Sequence, residues 1–279
     1  MADIKELRKD AHWSYSSLDQ LLNRCSLQWA FGHIYKLPPE STGAELPFGG
    51  AFHAAASEFA RIKMVGENTN LKEIQDSFSE WWLMALDSGE KIEFKDGASA
   101  ASMNETGRAL IEVLYTNWIE DEKVIDVASA FSVEIFDAEG NAASDKPLIG
   151  EMDLVVMDAA GRFIVVDWKT SARRWPREKA DESLQATCMC YGHALDIGCV
   201  PSFRFDVLVK NKLPIIERHP VERSFEDFNR MAELVKIADK IVKAEAYFPR
   251  KDWQCSGCAY SGACREWHRK SAGTHSIAA

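Results

Sequence analysis

An aspartate and a lysine two residues apart close an apolar run in "GRFIVVDWKTS", residues 161–171. Side chains two apart on a strand share a face, so Asp167 and Lys169 point together and Trp168 points to the other side. Alone, the pair reads as a salt bridge at a strand end. The strand before it changes that reading. In "GEMDLVVM", residues 150–157, Asp153 stands as far before Ala160 as Asp167 stands after it. A hairpin symmetric about Ala160 therefore sets two carboxylates side by side on one face, where Cβ atoms are about 4.5–5.5 Å apart. That arrangement calls for a cation. Lys169 supplies one charge, and a hard divalent ion, Mg²⁺ or Mn²⁺, supplies more in the oxygen-rich setting it favours. A one-residue slip would separate the acids, but it would also turn a whole strand face over. Glu151 shares the face of Asp153, either near a second ion or simply exposed. Gly150 leaves room there for a backbone or ligand to approach.

A second set of chemically able residues sits at the two ends of the chain. "WQCSGCAYSGAC" places Cys255, Cys258 and Cys264 in a C-x2-C-x5-C pattern, and Cys25 stands alone near the start. Four thiolates can hold zinc or an iron-sulfur cluster. The two closely spaced ligand pairs usual for zinc are absent. His268 beside the motif is an alternative ligand or a surface residue. Cys188, Cys190 and Cys199 lie in or beside an apolar helical stretch and read as core.

The elements that must position these groups follow from periodicity. Ser16 caps a helix expected over 17–31, with Leu18, Leu21, Leu22, Cys25 and Trp29 on one face. After a Pro- and Gly-containing loop, "FGGAFHAAASEFARIKM" is a second helix with Phe52, Ala55, Ala56 and Phe59 on its buried stripe and His53 at the stripe's edge. Helices over 71–86 and 98–121 follow. The period then changes to short β-branched runs over 127–136, 147–157 and 162–169. A crossover helix over 178–197, a hairpin over 203–219 and a last helix over 224–246 complete an α/β domain with a mixed sheet. The tail from 269 is expected to be disordered.

Composition narrows the classes. Thirty-three basic and 43 acidic residues give a formal charge of −10, which argues against a protein that coats nucleic acid by bulk charge. One local exception is "KTSARRWPREK", with Arg173 and Arg174 beside Trp175. Trp175 could stack on a base, as single-strand sites do, or anchor its loop in the core. No apolar stretch approaches a membrane span and the start is charged, so a cytoplasmic protein without a membrane partner is expected.

At this point the motifs resemble a known family. "GEMDLVVM" followed by "FIVVDWKTS" is similar to the G-x-x-D and D-x-K-T elements of the RecB-like branch of the PD-(D/E)XK nuclease superfamily, and "FGGAFHAAASEF" matches its upstream histidine helix. The resemblance implies a restriction-endonuclease-like core, mixed sheet flanked by helices, over about 128–246. A helical elaboration would cover about 14–121, within one nuclease domain spanning 1–268. It implies metal-assisted phosphodiester hydrolysis, with His53, Asp153, Asp167 and the Trp168 carbonyl around Mg²⁺ or Mn²⁺ and Lys169 acting on the attacking water. "SLQATCMCYGHAL" supplies Gln185 and Tyr191 for the DNA backbone, although relatives often carry a tyrosine where this chain has Met189.

The split cysteines resemble those of iron-sulfur nucleases in that branch, where one N-terminal and three C-terminal cysteines bind a 4Fe-4S cluster. Here the cluster would join Cys25 to the motif at 250–268, closing a loop of about 230 residues. The activity implied is a DNA exonuclease working from single-stranded ends in a prokaryotic or phage-infected cell. A DNA-end-gripping subunit of a CRISPR-adaptation or phage recombination complex, acting with other DNA-processing proteins, is the alternative. An RNA nuclease is the third.

Overall fold

A computed structural model of the chain describes residues 3–89, 91–95 and 97–273. The chain starts with a short helix α1 (Ile4–Leu7), then α2 (Tyr15–Asp19), capped by Ser14, whose hydroxyl accepts from Ser17 N–H. The continuous helix expected over 17–31 is broken. A π-turn over Gln20–Arg24 closes with Cys25 N–H donating to Gln20 O, and Cys25 itself is extended. Its sulfur then accepts from Gln28 N–H at 3.4 Å, and α3 (Ser26–His33) begins. The apolar stripe survives this break, because Leu18, Leu21 and Trp29 all remain buried. Periodicity alone therefore could not show it.

Trp29 is held across the break by its indole N–H, which donates to Ser17 Oγ at 2.8 Å inside the core. Ser17→Ala would leave that buried donor unpaired, and we expect a loss of about 1–3 kcal/mol in urea denaturation. Unchanged stability would mean that water reaches the indole.

A two-stranded parallel pair, β1 (Thr42–Gly43) with β2 (Ile92–Glu93), brackets α4 (Glu45–Met64) and α5 (Leu71–Leu86). The next helix is α6 (Ala100–Thr116), shorter than the predicted 98–121. Strands β3 (Lys123–Val133), β4 (Leu148–Met157) and β5 (Phe163–Ser171) then form an antiparallel meander. The crossover is two helices, α7 (Arg177–Asp181) and α8 (Leu184–Ile197), and it returns the chain to β6 (Ser202–Val209), parallel to β5. Antiparallel β7 (Ile215–Val221) completes the order β3-β4-β5-β6-β7. The last elements are α9 (Phe225–Lys243) and α10 (Ser261–Gly273).

The sheet is buried on both faces. Val127, Leu154, Val166, Trp168 and Leu208 face α4, α5 and α6, while Met152, Val165, Phe205 and Val207 pack in the cluster that holds α8, α9, Leu18 and Trp29. The result is a mixed sheet flanked by helices, as expected. Part of the predicted disordered tail is helical, since α10 runs to Gly273; residues 274–279 lie outside the described residues. Among the described residues no helix is long and apolar enough to cross a membrane.

The two chain ends are fastened to this body. Trp13 N–H donates to Pro147 O and Ile149 N–H to Trp13 O, both at 2.8 Å, so the N-terminal arm lies along the start of β4. Ser26 Oγ donates to Phe248 O and accepts from Phe248 N–H, and Glu40 accepts from the Gly262 amide at 2.7 Å.

Candidate active site

Strands β4 and β5 pair from Met157↔Phe163 to Leu154↔Val166, the register symmetric about Ala160. One step further the ladder stops, and this is where Asp153 and Asp167 stand. Asp153 replaces the missing strand contact with its side chain, accepting from Trp168 N–H at 2.8 Å. On its other side β3 is irregular too, with Ala128 in the left-handed region at φ 54° and no pairing between Val127↔Leu154 and Ser129↔Met152. The two acids thus occupy a fork in the sheet.

His53, on the buried-stripe edge of α4, reaches the fork and places Nδ1 3.0 Å from Asp153 Oδ1. Lys169 Nζ lies 2.7 Å from Asp167 Oδ2. Gln185, at the start of α8, donates from Nε2 to Asp167 Oδ1 at 2.5 Å. Asp167 Oδ2 has the lysine charge nearby but no hydrogen-bond donor in suitable geometry, an orphan among buried oxygens. Trp168 turns away into the α4–α6 side of the core.

The electrostatics follow from burial and from crowding of like charges. Burial, with the Asp153 charge added, pushes the Asp167 carboxyl up to about 6 against the opposing pull of Lys169. Burial would also raise Asp153, but His53, Lys169 and the Trp168 amide outweigh it and hold that carboxyl below its ordinary value. Two neighbouring carboxylates are thereby pushed apart, one sharing a proton readily near neutrality and one firmly ionised. Burial would lower both cations, yet the Asp153 carboxylate raises His53, and Asp167 with Asp153 raises Lys169. Lys169 therefore stands here as a cation and proton donor.

Several sequence expectations are redrawn. The close approach at Gly150 is made by the Phe131 ring, 2.6 Å from where a Cβ would lie, and Gly150 also lines the cleft that reaches Lys169. Glu151 is exposed. Tyr191 is not brought to the acids: its hydroxyl accepts from Phe136 N–H and donates to Glu134 O, tying the end of β3 to α8. Trp175 takes the loop-anchor role, its ring 5.2 Å from Phe205 with Lys179 stacked at 3.9 Å. Arg174 pairs with Glu217 at 2.9 Å, and Arg173 is exposed on the same loop.

Tyr15 was missed, since nothing in its spacing links residue 15 to residue 169. It lines the same cleft as Lys169, Gln185 and Met189, within electrostatic reach of Lys169 and Asp167.

The four terminal cysteines do come to one place. Cys25 at the α3 cap, Cys255 and Cys258 around a 3-10 turn (Trp253–Gly257) and Cys264 in the first turn of α10 line one cavity of about 500 Å³, with His268. All are free thiols, and burial raises those of Cys258 and Cys264. Cys188 and Cys190 lie on α8 and are buried in the core, as expected, whereas Cys199 is exposed.

The chain's fold finds its counterpart in known proteins. The family model for the PD-(D/E)XK nuclease superfamily matches residues 12–265. The chain belongs to that superfamily. A crystal structure from Eubacterium rectale, described as a candidate exonuclease, is 11% identical and superposes with a TM-score of 0.55 over 89% of this chain and 87% of that one. At that identity the likeness shows the fold alone. The structure of SSO0001 is 13% identical and covers 92% of this chain and 93% of its own, but its TM-score of 0.33 carries no argument. No curated protein matches the chain.

PD-(D/E)XK nucleases typically work with divalent metals such as Mg²⁺. Among the described residues, no three His, Cys, Asp or Glu side chains stand close enough together to chelate an ion. The donor types at the fork nevertheless suit one: two carboxylates, one of them buried, and an imidazole. His53 and Asp153 use each other as partners in this arrangement, so their release accompanies any ligation.

Proposed function

We propose that this nuclease is a metal-dependent deoxyribonuclease of the RecB-like branch, degrading DNA from single-stranded ends. The observation that carries this reading is the fork itself, where two carboxylates, a histidine and a lysine meet at the point where β4 and β5 stop pairing. A plain sheet gains nothing from that grouping. Asp153, Asp167, His53 and the Trp168 carbonyl would hold Mg²⁺ or Mn²⁺, which supplies charge neutralisation at the scissile phosphate and acidifies water beside it. Lys169 orients the attacking water and donates toward the charge that builds on the pentacovalent phosphorus. Gln185 fixes the rotamer of Asp167.

We further propose a structural 4Fe-4S cluster on Cys25, Cys255, Cys258 and Cys264. Their shared cavity supports it, because a cubane spreads four ligands more widely than a lone zinc ion.

The deciding experiment incubates end-labelled single-stranded, duplex and circular DNA with Mg²⁺ or Mn²⁺. Release of short products from single-stranded ends, none from circles and none in EDTA, is the expected pattern. Cleavage of circles would make the protein an endonuclease, and absence of metal-dependent cleavage would sink the enzyme reading.

A further inference from the structure

The cleft that ends on Lys169 and Gln185 has a volume of about 1010 Å³, and its opposite wall is built by the N-terminal arm and the end of α3. This wall is unlike the molecule's acidic average. Arg8, Lys9, Lys36 and Lys146 line the cleft here against two acids, Asp10 and Glu151. Lys9 is engaged by Glu6 and Lys146 by Asp239. Arg8 and Lys36 are exposed, and among the described residues neither has a carboxylate within ion-pair distance.

Electrostatic influence links these groups in pairs. Lys36 and His12 both act on the imidazole of His33. Arg8 acts on Glu151, which Asp153 also influences. Tyr15 and Lys169 influence each other at the fork. The His33 ring lies flat on Trp29, 4.8 Å between centroids and 11° between planes, and His33 is itself exposed. A flat, half-covered ring in a cleft that also carries unpaired cations offers what single-stranded nucleic acid uses: stacking for bases, cations for phosphates.

We propose that this cleft is the path of one DNA strand to the carboxylates, with Arg8 and Lys36 on its phosphates and His33, backed by Trp29, under a base. The proposal rests on the nuclease reading and gives the strand a route that the loop at 173–175 does not, since none of those residues lines the cleft. The N-terminal arm is then a substrate wall, pinned in place by the Trp13 backbone bonds to Pro147 and Ile149.

The test measures anisotropy of a short labelled oligothymidylate in EDTA, where binding is read without cleavage. Arg8→Glu with Lys36→Glu is expected to weaken binding about tenfold or more and to flatten the dependence of log affinity on log salt by about 1.4, the contribution of two phosphates on a single strand. A Lys72→Glu, Lys95→Glu protein carries the same charge change on exposed residues outside the cleft and is expected to bind as the parent does. Unchanged affinity and slope in the first variant, an equal loss in the second, or a duplex that competes as well as the single strand would each overturn the path. Hydrolysis of bis(p-nitrophenyl) phosphate with Mn²⁺ needs no flanking phosphates, so the first variant should keep it. A parent that cleaves neither this ester nor DNA defeats the nuclease reading, while the anisotropy result still decides the path.

Discussion

Asp167→Asn is expected to lose metal-dependent cleavage by about a thousandfold or more while leaving the metal-free protein at least as stable as the parent. The two effects have one cause. The Asp167 side chain is 6% exposed, and burial with the Asp153 charge lifts its carboxyl to about 6. An acid whose value is raised by folding weakens the fold wherever it is ionised. That penalty is absent below the unfolded value near 3.8 and complete above about 6, with a ceiling of about 3 kcal/mol. Asparagine removes the charge and keeps the acceptor for Gln185, although it takes the partner from Lys169, so the net gain is smaller than that ceiling.

Lys169→Met predicts the opposite sign of stability. Its ammonium is raised by Asp167 and Asp153, so its contribution is fully present below the ordinary lysine value and is lost only as pH rises through the folded one. At pH 7.5 its loss leaves two close carboxylates without their cation, and destabilisation of about 3 kcal/mol is expected with cleavage lost as well. Urea denaturation in EDTA at pH 7.5 and pH 5 separates the cases by sign: the asparagine variant's advantage and the methionine variant's deficit both shrink toward pH 5 as Asp167 takes up a proton, and the part of the deficit owed to ionised Asp153 remains. If both variants cleave DNA at the parental rate, the fork is not the catalytic site.

These expectations were largely legible because the hairpin is short and symmetric. Equal distances from Ala160 placed Asp153 and Asp167 together, and the observed ladder keeps that register up to Leu154↔Val166. What could not be read was that the ladder ends there, since the Asp153 side chain takes the Trp168 amide in place of a strand contact. Tyr191 misled for a related reason. A helix position reports a face, but only the fold shows that this face meets β3 rather than the acids. Gly150 was legible only in part, because glycine signals close approach without saying by what, and here the near neighbour is Phe131. The N-terminal arm carries no period at all, so its place along β4 rests on backbone bonds from Trp13 that no pattern announces.

Cys258→Ser is expected to remove the proposed cluster's visible absorbance and to lower stability by about 2–4 kcal/mol, while Cys188→Ala keeps the colour and loses only core packing. The contrast follows from position. Cys188 is buried in the core with its thiol pushed up to about 12, so it is an inert packing group. Cys258 shares its cavity with three other cysteines, and burial raises its thiol, so that ligation releases a proton. Assembly should therefore be more complete at pH 8.5 than at pH 6.5.

A tie between Cys25 and the C-terminal motif constrains a loop of about 230 residues, for which chain entropy alone gives about 5 kcal/mol. The folded protein already joins these segments through Ser26 to Phe248 and Glu40 to Gly262, and a cluster lost on unfolding contributes binding energy rather than loop entropy. Both considerations place the effect below that figure. Limited proteolysis gives the structural readout: in the serine variant cleavage is expected between the two hydrogen-bonded ties, after Phe248 and before Ala259, with the fork left intact. Iron and sulfide in similar amounts in the anaerobic parent support the staple; stoichiometric zinc without iron rejects it, and the cysteine cavity is then a zinc site that must tighten to bind.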